Sequence, residues 1–123
     1  MKLRFRRNSL RLRLNRREVE QLAEGTALQE VVTFPGDARM EYALDSSSES
    51  RATASFQGGV IRVHAPRTQV QDWANGEEIG LYFDLPTDGT SLKIAIEKDL
   101  ECVDAPAEER DPEAYPRVAG TIC

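Results

Sequence analysis

The residues best suited to chemistry in this sequence are arginines that alternate with apolar residues near its start. Residues 2–14 read "KLRFRRNSLRLRL", and a turn at "RNS" would join two strands with the cations on one face. A guanidinium group binds phosphate or carboxylate through paired hydrogen bonds. Four arginines of this segment and one of a later strand are therefore the predicted anion-binding residues: Arg4, Arg6, Arg11, Arg13 and Arg62.

The same arginines also fit a simpler interpretation, in which they solvate the outer face of a sheet. Like charges that lie directly opposite each other on paired strands destabilise a sheet, so acidic residues are expected between them. Glu41 and Glu97 are the expected cross-strand partners. We favour the solvated face and keep the anion site as the functional alternative.

A second group that could do chemistry lies in "IAIEKDLEC" at residues 94–102. On a strand, Glu97 and Asp99 share a face, and carboxylates that face one cavity can hold Mg²⁺. A charged strand end explains the same residues, and we favour it over a metal site. No motif in the sequence requires a cofactor.

The remaining reactive side chains are one histidine and two cysteines. His64 adjoins no serine, cysteine or aspartate motif in the sequence, so a polar-face position is favoured over a general base, and no catalytic residue is assigned. Cys102 and Cys123 lack the paired spacing of a zinc site. They form either a disulfide or two free thiols, and a reducing cytosol favours the thiols.

The elements that position these residues follow from hydrophobic periodicity. Alternation predicts strands over residues 2–7, 10–14, 28–34 and 39–45. Asn15 and Glu18 have the spacing of a capping box, and Gly25 suits the end of the helix that follows. The helix should bury its apolar stripe, which contains Val19 and Leu22.

The sequence repeats this unit with an offset of 51 residues. Eight residues of positions 3–37 recur identically at that offset, where average composition gives about two by chance. Leu22 corresponds to Trp73, which favours a core position for Trp73 over a ligand-stacking role. Asn15 corresponds to Pro66, and proline suits the first position of a helix. We therefore predict a single α+β domain over residues 1–100, in which a strand-strand-helix-strand-strand unit is duplicated about a pseudo-twofold axis as residues 1–49 and 50–100. It would contain about eight mainly antiparallel strands and two helices.

Length and charge limit the classes of protein that fit. The 123 residues suit one domain, and no apolar run reaches the roughly 20 residues of a membrane span. No signal sequence is apparent, so the cytoplasm is expected. The net charge of −5 disfavours nucleic acid as a partner, although the first 17 residues carry eight basic and no acidic residues. Residues 101–123 contain three prolines and a cluster of acids, which predict an extended acidic tail.

The segments "NSLRLRL" and "EKDLEC" resemble a family of small uncharacterised bacterial proteins, a domain of unknown function. Its pattern is N-S-I/L-R-x-R-L near the start and E-K-D-F/L-x-C near the end. The matching positions are Asn8, Ser9, Arg11, Arg13, Glu97, Lys98, Asp99 and Cys102. The resemblance implies a family, but no activity.

The strand pattern also has a weaker similarity to the triphosphate tunnel enzymes, which have about eight antiparallel strands and bind polyphosphate. Their first strand reads ExExK, whereas this one reads "KLRFR" and lacks the acids. We therefore expect a non-enzymatic binding or interaction module whose partner is a protein or a small anionic ligand. The alternative is a polyphosphate or phosphate-ester hydrolase that uses the same arginines with Mg²⁺ at Glu97 and Asp99.

Overall fold

The chain forms two helices and eight strands in an order that occurs twice. The computed structural model describes residues 1–100, 112, 113 and 115. Within them the strands are β1 (Lys2–Arg6), β2 (Ser9–Leu14), β3 (Leu28–Phe34), β4 (Ala38–Ser47), β5 (Thr53–Gln57), β6 (Val60–Pro66), β7 (Gly80–Thr87) and β8 (Thr90–Lys98). The helices are α1 (Arg16–Ala23) and α2 (Arg67–Asn75). The predicted α+β class and the mainly antiparallel strands are confirmed.

The first hairpin shows how alternation in the sequence becomes two faces of a sheet. Leu10, Leu12 and Leu14 of β2 are buried, and the arginines between them are partly exposed. The turn places the Asn8 side chain where its amide donates a hydrogen bond to the Ser91 carbonyl, at 2.7 Å. The hairpin is thereby tied to the start of β8, the strand that pairs with β2.

The two helices begin differently. At α1 the predicted capping box is present, because the Glu18 N–H donates to Asn15 Oδ1 at 2.9 Å and the Asn15 N–H donates to Glu18 Oε1 at 3.0 Å. Gly25 follows α1 with φ +93°, a conformation that glycine adopts without steric cost. Pro66 does not take the predicted first helical position. It is the last residue of β6 and the N-cap of α2, because the strand runs directly into the helix.

Each sheet combines one hairpin from each half of the chain. Sheet A has the strand order β1-β2-β8-β7, and sheet B has the order β3-β4-β6-β5. The outer pairs are antiparallel, and the central pairs β2–β8 and β4–β6 are parallel. If each strand of β1–β4 is exchanged with its counterpart in β5–β8, the order of sheet A becomes the order of sheet B read in reverse. A pseudo-twofold duplication would require this relation. The duplication itself remains a prediction.

The core lies where the helices pack on the inner faces of the sheets. Val19, Leu22, Val70 and Trp73 of the helices are each at most 2% exposed. The strand residues that complete this core include Leu12, Leu14, Leu44, Val63, Ile94 and Ile96. Trp73 also donates its indole N–H to the Ile79 carbonyl at 2.9 Å, so its polar atom is satisfied. The predicted core position of Trp73 is confirmed.

The described part of the C-terminal segment contacts the domain through Tyr115. The backbone N–H of Tyr115 donates to the Asp99 carbonyl at 2.7 Å, and the Arg16 guanidinium lies 5.5 Å from the Tyr115 ring centroid. Lys98 Nζ lies 5.4 Å from the same centroid and donates to the Gly76 carbonyl at 2.9 Å. Burial lowers the pKa of Lys98. The two cysteines, Cys102 and Cys123, lie outside the described residues.

Neither α1 nor α2, the helices of the described region, is long and apolar enough to cross a membrane.

Candidate functional site

The outer face of sheet A carries the arginines that the sequence singled out. The register aligns Arg4 with Arg11 and Arg11 with Ala95, while Tyr82 of β7 also pairs with Ala95. Alternation then puts six cations on this surface, which we call the basic face: Lys2, Arg4, Arg6, Arg11, Arg13 and Lys93. The carboxylates of Asp84, Glu97 and Asp99 lie among them, so cations exceed anions on this face.

Part of the basic face is concave. A cleft of about 460 Å³ is bordered by four cations, Arg4, Arg6, Arg11 and Lys93. Ala95 and Tyr82 also line it. Ala95 lies between Arg11 and Tyr82 on the neighbouring strands, and its side chain is only a methyl group. The surface of the sheet is therefore recessed at Ala95. The cleft therefore combines converging cations with room for a small ligand.

Glu97 lies next to Arg11 and Tyr82, two of the residues that line the cleft. Arg11 Nε lies 2.9 Å and Arg13 Nε lies 3.7 Å from Glu97 Oε1, while the Tyr82 hydroxyl donates to Glu97 Oε2 at 2.8 Å. The Glu97 side chain is only 13% exposed. Burial, followed by the hydrogen bond to Glu97 and the charge of that carboxylate, raises the pKa of Tyr82. The predicted pairing of Glu97 with arginines across the strands is present as ion pairs, and the short Arg11 contact is not a hydrogen bond, because the buried Arg11 Nε–H is left without a hydrogen-bond acceptor among the described residues.

Arg4 and Arg6 differ from Arg11 because no carboxylate pairs with them among the described residues. Both are exposed on the edge strand β1. Lys93 lies 3.6 Å from Asp84, and both side chains are more than two-thirds exposed, so this pair is weak. The uncompensated positive charge of the cleft is therefore concentrated at Arg4 and Arg6.

The two predicted metal ligands are each paired with cations. Asp99 Oδ2 lies 2.7 Å from Lys2 Nζ, and Glu97 is occupied as described above. Across residues 1–100, 112, 113 and 115, no three His, Cys, Asp or Glu side chains group as a metal site would require. The geometry thus gives Glu97 and Asp99 the position of ion-pair partners.

Arg62 and Glu41 do not join this surface. They lie on β6 and β4 in sheet B, whereas Arg4 and Arg11 lie in sheet A. The expectation that Arg62 extends the basic face through pseudo-symmetry is wrong, because β6, which carries Arg62, belongs to the other sheet. Arg62 Nη1 lies 3.9 Å from Asp45 Oδ2, and Glu41 accepts a hydrogen bond from Gln29.

His64 has neighbours that the sequence alone did not reveal. His64 Nδ1 lies 2.5 Å from Asp45 Oδ1, and His64 Nε2 lies 2.9 Å from Ser47 Oγ. Asp45 and Ser47 share a face of β4, and the parallel register sets Asp45 directly opposite His64. The only signal in the sequence was the D-x-S spacing at the end of β4, which has meaning only once β4 is paired with β6.

Comparison with known proteins supplies a family. No curated protein and no solved structure matches the chain. A match over residues 1–118 covers both hairpins of sheet A, and therefore the whole basic face. The chain belongs to DUF7009, a family of unknown function.

Proposed function

We propose that this protein is a small bacterial cytoplasmic binding module that holds an anionic ligand in the cleft of its basic face. The ligand carries phosphate or carboxylate groups, since these accept paired hydrogen bonds from guanidinium. The proposal assigns no reaction to the cleft.

One observation carries the proposal. Arg4 and Arg6 border a concave cleft and have no carboxylate partner among the described residues, although three carboxylates lie elsewhere on the same face. A face that only required solubility would gain more from interleaved opposite charges. Arg11 adds a third guanidinium to the border of the cleft, with its Nε 2.9 Å from a Glu97 oxygen.

The hydrolase alternative has less support from the same contacts. It requires carboxylates that are free to hold Mg²⁺, and both predicted ligands are paired with cations. Asp84 borders the cleft but is 68% exposed and lies beside Lys93. An anion bound without metal agrees better with this arrangement of charges.

The test is a thermal-shift titration of the full chain with pyrophosphate, tripolyphosphate and ATP, each with and without Mg²⁺. A ligand that binds the native state stabilises it by about 2.7 kcal/mol at a concentration 100 times its Kd. We expect stabilisation that is independent of Mg²⁺ and weakens with added salt. Absence of stabilisation at millimolar ligand contradicts the proposal, and Mg²⁺-dependent release of phosphate replaces it with the hydrolase.

Matched substitutions locate the site. Arg4→Gln and Arg6→Gln remove cations that have no partner in the described region, so the fold should be unaffected, and each should weaken binding about tenfold, or about 1.4 kcal/mol. Arg62→Gln is the control, because it removes an exposed arginine from the other sheet. Equal loss of affinity in all three variants would indicate a general charge effect and not a site in the cleft.

A further inference from the structure

The side chains of Asp45, His64 and Ser47 form a chain of hydrogen-bonding groups on the outer face of sheet B. The carboxylate of Asp45 contacts Nδ1 of His64, and Nε2 on the other side of the ring contacts Ser47 Oγ. The three residues lie on two paired strands and not on a loop, so their positions are set by the register of the central parallel pair. The His64 side chain is 13% exposed and that of Asp45 is 28% exposed, so the group is sheltered but reachable.

One tautomer of a neutral His64 ring satisfies both contacts. An ionised carboxylate only accepts hydrogen bonds, so Nδ1 of His64 donates to Asp45 and a neutral ring leaves Nε2 as an acceptor. The backbone N–H of Glu49 donates to Ser47 Oγ at 3.2 Å, which leaves the Ser47 hydroxyl proton to point at Nε2. Arg62 Nη1 lies 3.9 Å from the second oxygen of Asp45.

We propose that Ser47 is a nucleophile that His64 activates as general base and Asp45 orients, and that it cleaves small carboxylic esters. The Ser47 oxygen adds to the ester carbonyl carbon while Nε2 of His64 takes the hydroxyl proton. The carbon–oxygen bond to the alcohol then breaks, the alcohol leaves with that proton, and acyl-Ser47 remains. Water, which gives a proton to the same nitrogen, releases the carboxylic acid and restores the serine hydroxyl.

This site is separate from the basic face. Asp45, Ser47 and His64 belong to sheet B, and the cleft belongs to sheet A. Its arrangement matches the roles by which a serine-histidine-aspartate group is recognised on unrelated folds. The expected gain is that of base activation, about 10²–10⁴-fold over an ordinary serine. Because the two sites lie in different sheets, loss of anion binding would leave this proposal intact. Loss of ester cleavage would likewise leave the anion-binding proposal intact.

The test is covalent labelling of the folded full chain with an alkyl fluorophosphonate. The serine oxygen displaces fluoride from phosphorus, and peptide mass spectrometry locates the adduct. Ser55 provides an internal comparison in the same sample, because it is exposed on β5 of the same sheet, opposite Arg62 in the register. We expect Ser47 to react at least 100-fold faster than Ser55. This comparison needs no variant, so a substitution that fails to fold cannot obscure it.

Substitutions then assign the roles. Ser47→Ala should abolish the fast adduct and the hydrolysis of p-nitrophenyl acetate, while Ser55→Ala should leave both unchanged. His64→Gln and Asp45→Asn should each slow labelling at least tenfold in protein whose circular dichroism spectrum is unaltered. Equal labelling of Ser47 and Ser55 in the wild type, or rapid labelling of Ser47 in His64→Gln, would overturn the proposal and leave the three contacts as a polar cap on the end of β4.

Discussion

Replacing Glu97 with glutamine tests the structural role of this residue on the basic face separately from the proposed anion binding. The substitution keeps the shape of the side chain but removes the charge that faces Arg11, Arg13 and the Tyr82 hydroxyl. The Tyr82 hydroxyl makes a hydrogen bond to this charged group, which contributes about 1.5–3 kcal/mol, but Tyr82 is exposed and the paired arginines are each about one-third exposed or more, so solvent screening reduces this value. We expect Glu97→Gln to lower the free energy of unfolding by about 1–2 kcal/mol, and Tm by about 5–10 °C.

The same substitution should strengthen anion binding. A ligand held on the far side of Arg11 would lie about 7 Å from the Glu97 carboxylate, where repulsion between unit charges in water is about 0.6 kcal/mol, or about threefold in affinity. The effect should shrink as salt is added, because the Debye length falls to about 8 Å at physiological ionic strength. Calorimetric titration with tripolyphosphate at low and high salt measures this difference.

Asp84→Asn is the matched control for this prediction. It removes one negative charge from the border of the same cleft, but Asp84 is 68% exposed and its pair with Lys93 is weak. The control should raise affinity to a similar degree with almost no change in Tm. If both variants lose the same stability, or if Glu97→Gln loses none, Glu97 does not stabilise the basic face and the reasoning is wrong.

Three further substitutions test the fold around the sites. Asn15→Ala removes the capping box of α1 and should cost about 1 kcal/mol in urea denaturation; an unchanged midpoint would show that the cap contributes nothing. Leu22→Ala opens a cavity at a fully buried position and should cost about 2–5 kcal/mol by the same measurement, so a loss below 1 kcal/mol would mean that the core collapses around it. Burial lowers the pKa of Lys98 below its usual 10.5, so as pH rises the folded chain loses this proton before the unfolded chain does. The free energy of unfolding of the wild type, relative to that of Lys98→Met, should therefore rise as pH increases toward 10.5. A difference between the two proteins that does not change with pH contradicts the lowered pKa.

Local structure could be predicted from the sequence because it depends on neighbours in the chain. Alternation located β2 and β3, and the Asn15 and Glu18 spacing located the start of α1. The apolar stripes identified the helix residues that are buried, including Trp73. Pro66 was placed one residue too far into the helix, because a strand that runs directly into a helix leaves no loop to mark the boundary.

Which strands pair at the centre of each sheet could not be predicted, because β2–β8 and β4–β6 join residues far apart in the chain. The hydrophobic pattern of β2 fits any neighbour with an apolar face, and nothing in it specifies β8 over β4. The observed pairing of β6 with β4 places Arg62 in sheet B and brings His64 beside Asp45 and Ser47. The candidate sites thus depend on the topology: the arginines and His64 could be singled out from the sequence, whereas Asp45, Ser47 and Tyr82 gain a role only from the pairing of the strands.

Sheet A contains strands from both ends of the described domain, and this determines when the sheet can form during synthesis. β2 can pair with its parallel partner β8 only after the chain has been synthesised as far as Lys98, where β8 ends. Contacts so distant in sequence form late, since loop closure is unfavourable until the whole intervening chain exists. Arg4 and Arg11 are made first, yet Lys93 and Ala95 of their cleft are made near the end of the described domain. A nascent chain therefore displays its cations long before it can shape them into a pocket.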